Sequence, residues 1–330
     1  MILDGNDPRE VREAARALAA GELVGLPTET VYGLAANAHD DVAVAAIFAA
    51  KGRPADHPLI VHVLGPEQAE HFAVDIAPFA RQLMARFWPG PLTLILPRRP
   101  GVGDAAAGGH ESIGLRCPSH PVAQAVLAAC APLGVWGLAA PSANRFGRVS
   151  PTCADHVVAE LGASLRILDG GACPVGIEST IVDCTRGAPV LLRPGHVLPA
   201  EIEAAASVAL VPAESVAPTQ PRASGTLEAH YAPSASLRLM DAKALQTALD
   251  LLGADARHLA VYARTVLRSR SEHIVWRRMP SDAAAAAQQL FATLREFDQR
   301  GVRLIWVETP PADEPWDGVR DRLRRAAAAA

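Results

Sequence analysis

The chain has 330 residues, half of them apolar and 20% charged, with a formal charge of −4. That excludes a disordered polyelectrolyte, because the apolar material is ample for a buried core and the length exceeds one ordinary domain; it also argues against a protein whose main work is coating nucleic acid, which needs a basic excess. No apolar run approaches the ~20 residues that span a bilayer, the N-terminal MILDGNDPRE is acidic and polar, and the five cysteines (Cys117, Cys130, Cys153, Cys173 and Cys184) show no metal-ligand spacing, so a cytoplasmic chain with reduced thiols is expected.

In chain order, PREVREAARALA at 8–19 repeats apolar positions at helical spacing behind a proline, and GELVGLPTET reads as a short strand running into a turn. DVAVAAIFAA at 41–50 is a helix capped by Asp40 or Asp41, and PLIVHVL is a short β-rich run. Then follow helix APFARQLMARFW, strands LTLIL and SIGLR, helix PVAQAVLAACA, strand VWGLAA, helix PTCADHVVAEL, and strands LRILD, STIVDCT and PVLLR. Periodicity fades between about 205 and 234, where proline, serine and threonine accumulate as in a linker. Beyond it, strands LRLMD, HLAVYA, HIVWRRM and RLIWVE alternate with helices, the signature of a small α/β unit, and the RRAAAAA tail is expected to fray. The expected class is α/β (α+β), with a domain over 1–205, a linker over 206–234 and a small α/β domain over 235–330.

Five polar clusters fall at strand ends or turns of the first domain, where side chains from separate strands can converge. In PTETVYGL, Thr28, Glu29, Thr30 and Tyr32 crowd a strand exit, although either threonine could cap a following helix. In KGRPADHPL, Lys51 ends a helix, where the dipole favours any cation. With Arg53 two residues on, braced by Gly52 and Pro54, the pair also suits gripping separate oxygens of a polyphosphate. Lysine occurs only here and at Lys243. His57 reads equally as a plain loop histidine. GLRCP sets Arg116 at a strand end, where a lone arginine is usually a solvated charge. APSANRFG sets Ser142 and Asn144 on either side of Ala143 in a turn after a buried strand, small groups able to approach phosphate or base edges. Ser150 and Thr152 read as helix caps. GIESTIVD supplies Ser179 and Thr180, and LLRPG supplies Arg193. There is no G-x-x-x-x-G-K-[ST] loop, so an ATP site here would be built from side chains and strand-end turns.

Taken together and in this order, PTETVYGL, KGRPADHPL, GLRCP, PSANRFG, ESTIVD and LRPG resemble the YrdC-like family of threonylcarbamoyl-AMP synthases over roughly residues 8–205. HYAP at 230–233, with a small α/β domain after it, is similar to the family's long two-domain form, although SGTLEAHYAP lacks the proline-glycine and extra aromatic or basic residues more usual there. The resemblance implies an open, twisted YrdC-like α/β domain, a linker over the active site and a small Rossmann-like domain. It implies condensation of L-threonine, bicarbonate and ATP to threonylcarbamoyl-AMP and pyrophosphate, for modification of tRNA. Carried over residue by residue, Lys51 and Arg53 would be catalytic and would hold ATP together with Ser142, Asn144, Arg193 and Tyr231. Thr28, Tyr32, His57, Arg116 and Ser179 would line the threonine site. Magnesium would ride on the phosphates with no protein ligand, and a tRNA threonylcarbamoyl transferase would be a transient partner.

Two other readings use the same residues. A carbamoyltransferase that consumes carbamoyl phosphate can carry a similar domain, though such proteins usually add catalytic or zinc-binding modules. An arginine-lined cavity can also accept an RNA backbone weakly.

Overall fold

A computed structural model describes residues 1–211, 225, 227–266 and 269–329. The chain divides into two compact units, Met1–Phe146 with Ser150–Thr226, and Gly147–Val149 with Leu227–Ala330. Of the stretch read as a linker, residues 212–224 and 226 lie outside the described residues.

The first unit begins with β1 (Ile2–Asp4), α1 (Pro8–Ala19), β2 (Val24–Leu26), β3 (Gly33–Asn37), α2 (Asp41–Lys51), β4 (Ile60–His62), α3 (Pro66–Phe72) and α4 (Pro78–Phe87). It continues through β5 (Leu92–Pro97), β6 (Ser112–Arg116), α5 (Pro121–Cys130), β7 (Leu138–Ala139), α6 (Ala154–Leu161), β8 (Arg166–Asp169), β9 (Thr180–Asp183), β10 (Val190–Arg193) and α7 (Pro199–Ala206). Ten strands form one mixed sheet in the order β1-β8-β2-β3-β7-β4-β6-β5-β9-β10. Side chains alternate across it, as the two-residue period of a strand requires. On β3, Leu34 and Ala36 enter the core beneath α2 and α4, while Ala35 enters the opposite core with α1 and α5. Both faces are therefore apolar, and chemistry is confined to the strand ends.

Local signals fix the helices. Asp7 accepts from Arg9 N, and Pro8 occupies the first turn of α1, where a missing N–H costs nothing. Of the two candidate caps for α2, Asp40 is the one used: its Oδ1 accepts from Val42 N and Ala43 N at 3.0 and 3.1 Å. Gly52 closes α2 in the left-handed region at φ 62°.

In the second unit, β11 (Ser236–Met240), α8 (Ala242–Leu252), β12 (Leu259–Ala263), β13 (Val275–Arg278), α9 (Ala283–Gln299), β14 (Leu304–Glu308) and α10 (Asp317–Ala327) build an all-parallel sheet, ordered β11-β14-β12-β13. Glu308, at the carboxyl end of β14, is 3% exposed and gathers the turn after β12. It accepts from Arg264 N, Thr265 N and Val266 N at 2.8, 2.7 and 3.1 Å and from the Thr265 hydroxyl. Tyr231 is buried here, its ring tilted against Phe291 at 5.5 Å with the Arg322 guanidinium 5.4 Å above it. Gly147–Val149 joins this unit through Ala232 N to Gly147 O and an Arg148–Asp298 ion pair. The expected fraying of the tail is corrected for residues 324–327: α10 stays helical to Ala327, with Leu323 and Ala326 buried, and Ala330 lies outside the described residues.

Candidate active site

Helical spacing places Lys51 on the face that buries Val44, Ile47 and Phe48, and only 3% of it is exposed. Its Nζ donates to the carbonyls of Ser142 and Asn144, each at 2.5 Å, and its own carbonyl accepts from Phe146 N at 2.9 Å. Lysine and turn are stitched together through side chain and main chain at once. Arg53 folds over the adjacent loop, Nη2 donating to Pro58 O at 3.0 Å, with its guanidinium 5.6 Å from the Phe146 ring. His57 meets the same ring edge-on at 5.5 Å. Burial pushes the Lys51 ammonium down to about 7 and Arg53 adds to this, while Glu160 and Glu178 pull it back up.

A second knot forms where β6 ends. Arg116 is 4% exposed; Nη1 donates to Thr30 Oγ1 at 2.7 Å, Nε to Gly90 O at 3.3 Å, and Nη2 lies 2.6 Å from Glu29 Oε1. Thr28 closes its own turn by donating to Val31 O at 2.6 Å, and its oxygen lies 3.0 Å from that of Thr30. His62 pairs in register with Arg116, and burial, reinforced by that cation, pushes it down to about 3, so it stays neutral. Ser179, just before β9, shares a 2.7 Å hydrogen bond with Thr93 of β5, and Arg193 donates to its carbonyl through Nε and Nη2 at 3.1 and 2.9 Å. Gly195 permits that approach, since a Cβ there would stand 2.5 Å from Thr180 N. Tyr32 donates to Gly171 O at 2.8 Å and Asp169 Oδ1 at 3.1 Å, and burial drives its hydroxyl well above the ordinary range.

Main-chain bonds draw these knots together. Ala143 N donates to Tyr32 O at 2.8 Å, Tyr32 N to Pro151 O at 2.9 Å, Val175 N to Glu29 O at 2.8 Å and Cys173 N to Thr152 O at 2.9 Å. The segments carrying Thr28, Tyr32, Ser142, Asn144 and Ser179 thus converge, with Lys51 and Arg53 against one side and Arg116 against another. His57 stands with Lys51 and Arg53 rather than with the Arg116 knot. Tyr231 belongs to the second unit. All five cysteines are free, and only Cys153, at the foot of α6, is partly exposed.

The capping alternatives fail. Thr28 and Thr30 precede β3, not a helix. Ser150 does not cap α6, whose N-cap is Cys153; its hydroxyl donates to Glu178 Oε1, and Thr152 lies against His156 Nδ1. The sequence reading passed over Glu29, Thr93, Ser150, Asp169 and Glu178 as partners. Thr93 carries a visible signal, a polar residue inside the apolar run LTLIL. Glu29 and Glu178 sit within motifs that are conspicuous for their hydroxyls.

Residues 16–195 match the family described as "Telomere recombination", and residues 197–328 match "Threonylcarbamoyl-AMP synthase, C-terminal domain". The chain is 37% identical over 328 residues to a threonylcarbamoyl-AMP synthase of Pyrococcus abyssi, covering 96% of this chain and 94% of that relative. This chain belongs to the threonylcarbamoyl-AMP synthase family. A second member, from Bacillus subtilis, is 37% identical over 339 residues, covering 98% and 94% of the two chains. The crystal structure of P. abyssi Sua5 complexed with L-threonine superposes with a TM-score of 0.87 at 35% identity, covering 100% of this chain and 98% of that one. For a threonylcarbamoyl-AMP synthase this chain is ordinary in architecture, mixed α/β with a large mixed sheet and a small parallel one. Among the described residues, no helix is long and apolar enough to cross a membrane, and no cluster of three or more His, Cys, Asp or Glu side chains is placed to hold a metal.

Proposed function

We propose that this chain is an L-threonylcarbamoyladenylate synthase, a nucleotidyltransferase that condenses L-threonine, bicarbonate and ATP to threonylcarbamoyl-AMP and pyrophosphate. The product would serve threonylcarbamoyl modification of the tRNA adenosine next to the anticodon. The observation that carries the reading is the Lys51 ammonium seated on the Ser142–Asn144 turn with Arg53 beside it. A fixed ammonium and a guanidinium fork present two kinds of donor to separate phosphate oxygens. The names of the relatives and the threonine bound to P. abyssi Sua5 support the substrate choice.

Threonine's amine adds to bicarbonate with loss of water, or to CO2 with loss of a proton, giving a carbamate that decomposes readily in water, so solvent must be kept out while it reacts. The carbamate oxygen attacks the α-phosphate, and charge builds on the phosphoryl oxygens and the departing pyrophosphate. Lys51 and Arg53 stabilise that charge, and Ser142, Asn144 and Arg193 complete the nucleotide site. Thr28, Tyr32, His57, Arg116 and Ser179 line the threonine side. Magnesium enters with the nucleotide as MgATP. Residues 1–205 form the catalytic domain, 206–234 are the linker and 235–330 form the small domain, and Tyr231 is a nucleotide-binding residue. The reaction is cytoplasmic, and the product passes to a tRNA threonylcarbamoyl transferase in a transient contact.

The test supplies threonine, labelled bicarbonate and ATP and follows pyrophosphate together with a labelled adenylate. Both should form, and both should vanish when threonine is withheld. Product from carbamoyl phosphate without bicarbonate would favour the carbamoyltransferase instead, and salt-sensitive retention of double-stranded RNA without adenylate formation would favour an RNA-binding module.

A further inference from the structure

Glu29 stands out because burial and pairing disagree. It is 5% exposed, and among the described residues its one ion pair is the 2.6 Å approach of Arg116 Nη2 to Oε1. Among the described residues, neither of its oxygens has a hydrogen bond. Oε2 therefore lies buried beside a cation that serves only the other oxygen. A carboxylate removed from water needs its lone pairs satisfied, so a pair built only to brace the 27–32 loop would use both oxygens. Arg116 already braces that loop without it, through Nη1 to Thr30, while its Nε donates to Gly90 O in the turn before β5.

Among the described residues, Cys117, Cys173 and His120 also feel the Glu29 charge. Burial pushes the Cys117 thiol up to about 11 and drives Cys173 higher still, with Glu29 adding to both. Burial lowers His120, against the pull of the Gly170 carbonyl and of Glu29. The knot is thus one anion and one cation in a dry place, each with capacity left over. An α-amino acid carries the complementary pair, an ammonium and a carboxylate on one carbon.

We propose that Glu29 is the residue that receives the ammonium group of threonine, opposite Arg116 at the carboxylate, and that it takes the proton the amine must lose. This rests on the synthase reading above. The ammonium passes one proton to Glu29 Oε2, leaving a neutral amine and a carboxylic acid. The amine nitrogen then forms a bond to the carbon of bicarbonate, and the hydroxyl of bicarbonate departs with a second amine proton as water. The carbamate that results carries the single negative charge that bicarbonate brought. Glu29 returns its proton to solvent before the next turnover.

The decisive comparison sets threonine against its deaminated analogue, 2,3-dihydroxybutanoate of the same configuration, which keeps the carboxylate and side chain and replaces the ammonium by hydroxyl. Binding of each is measured by calorimetry in the full chain and in Glu29→Gln, with circular dichroism and ATP binding as controls for folding. The wild-type preference for threonine is expected to be on the order of 10²-fold, as for a site built around a buried polar partner. It should collapse to within a few-fold in Glu29→Gln, while analogue affinity stays unchanged. Equal weakening of both ligands, or an intact preference, overturns the proposal. If Glu29→Gln does not fold, Glu29→Asp replaces it: the preference should survive and turnover fall at least tenfold, and no change in turnover overturns the role. Threonine-dependent pyrophosphate release by the wild-type chain is measured alongside; its absence overturns the synthase reading itself, whereas its presence with an intact preference in the variant removes only Glu29.

Discussion

At the scale of single residues, Lys51 is a buried cation, 3% exposed. Two carbonyls hold its ammonium, yet burial and Arg53 push it down to about 7. Lys51→Ala and Arg53→Ala should each lower turnover by roughly 10²-fold or more, the usual effect of deleting a preorganised donor; near-normal pyrophosphate release in both would remove their roles. The displaced titration adds a pH signature. A triphosphate favours the charged lysine, so above about pH 7 nucleotide binding must take up a proton, and affinity should fall by up to tenfold per pH unit. Arginine stays charged throughout. Nucleotide titrations from pH 7 to 9 should therefore show a flatter profile for Lys51→Arg than for the wild type, and parallel profiles would mean that Lys51 does not titrate in this range.

At the scale of elements, α2 matters because its end aims Lys51. Gly52 has φ 62°, and nothing lies within 4 Å of where its Cβ would stand, so Gly52→Ala isolates backbone strain from crowding. It should cost about 1 kcal/mol in chemical denaturation, with Gly52→Asn milder. In the second unit, burial pushes the Glu308 carboxyl up, but hydrogen bonds from the Thr265 hydroxyl and the amides of Thr265, Val266 and Arg264 outweigh it, and the net displacement is downward. A lowered carboxyl contributes stability that is present above its unfolded value and lost as pH falls through the folded one. Glu308→Gln should destabilise by roughly 2 kcal/mol near neutrality, and its urea midpoint should approach that of the wild type between pH 5 and 3. A constant gap would show that the clasp does not depend on charge. Elements with local punctuation were legible in the sequence: α1, α2, α8 and α9 all begin at an aspartate that accepts a backbone N–H. The helices α3 and α7 went unread, since α3 buries only Ala69 and Phe72 in seven residues and α7 only Ile202 and Ala206 in eight. The juxtaposition of Lys51 with the Ser142–Asn144 turn, 91 positions away, could be anticipated only through the family resemblance. The Glu29–Arg116 and Ser150–Glu178 contacts could not, because they depend on pairings across 87 and 28 positions that leave no local trace.

At the scale of the whole molecule, division into two units raises the question of what the second adds to a site whose candidate residues, Tyr231 excepted, belong to the first. Tyr231→Ala should lower turnover about tenfold or release the adenylate early, without lowering the unfolding temperature of the first unit; unchanged pyrophosphate release and product retention would remove its role. The distribution of thiols makes such an experiment practical. Four of the five cysteines are walled into the interior, and the remaining one, Cys153, directly follows the segment that ties Tyr32 and Cys173 together. A thiol-directed fluorophore would therefore find a single ready handle on the unaltered protein, next to the candidate site, and a change in its brightness on adding threonine or nucleotide would need no engineered attachment point.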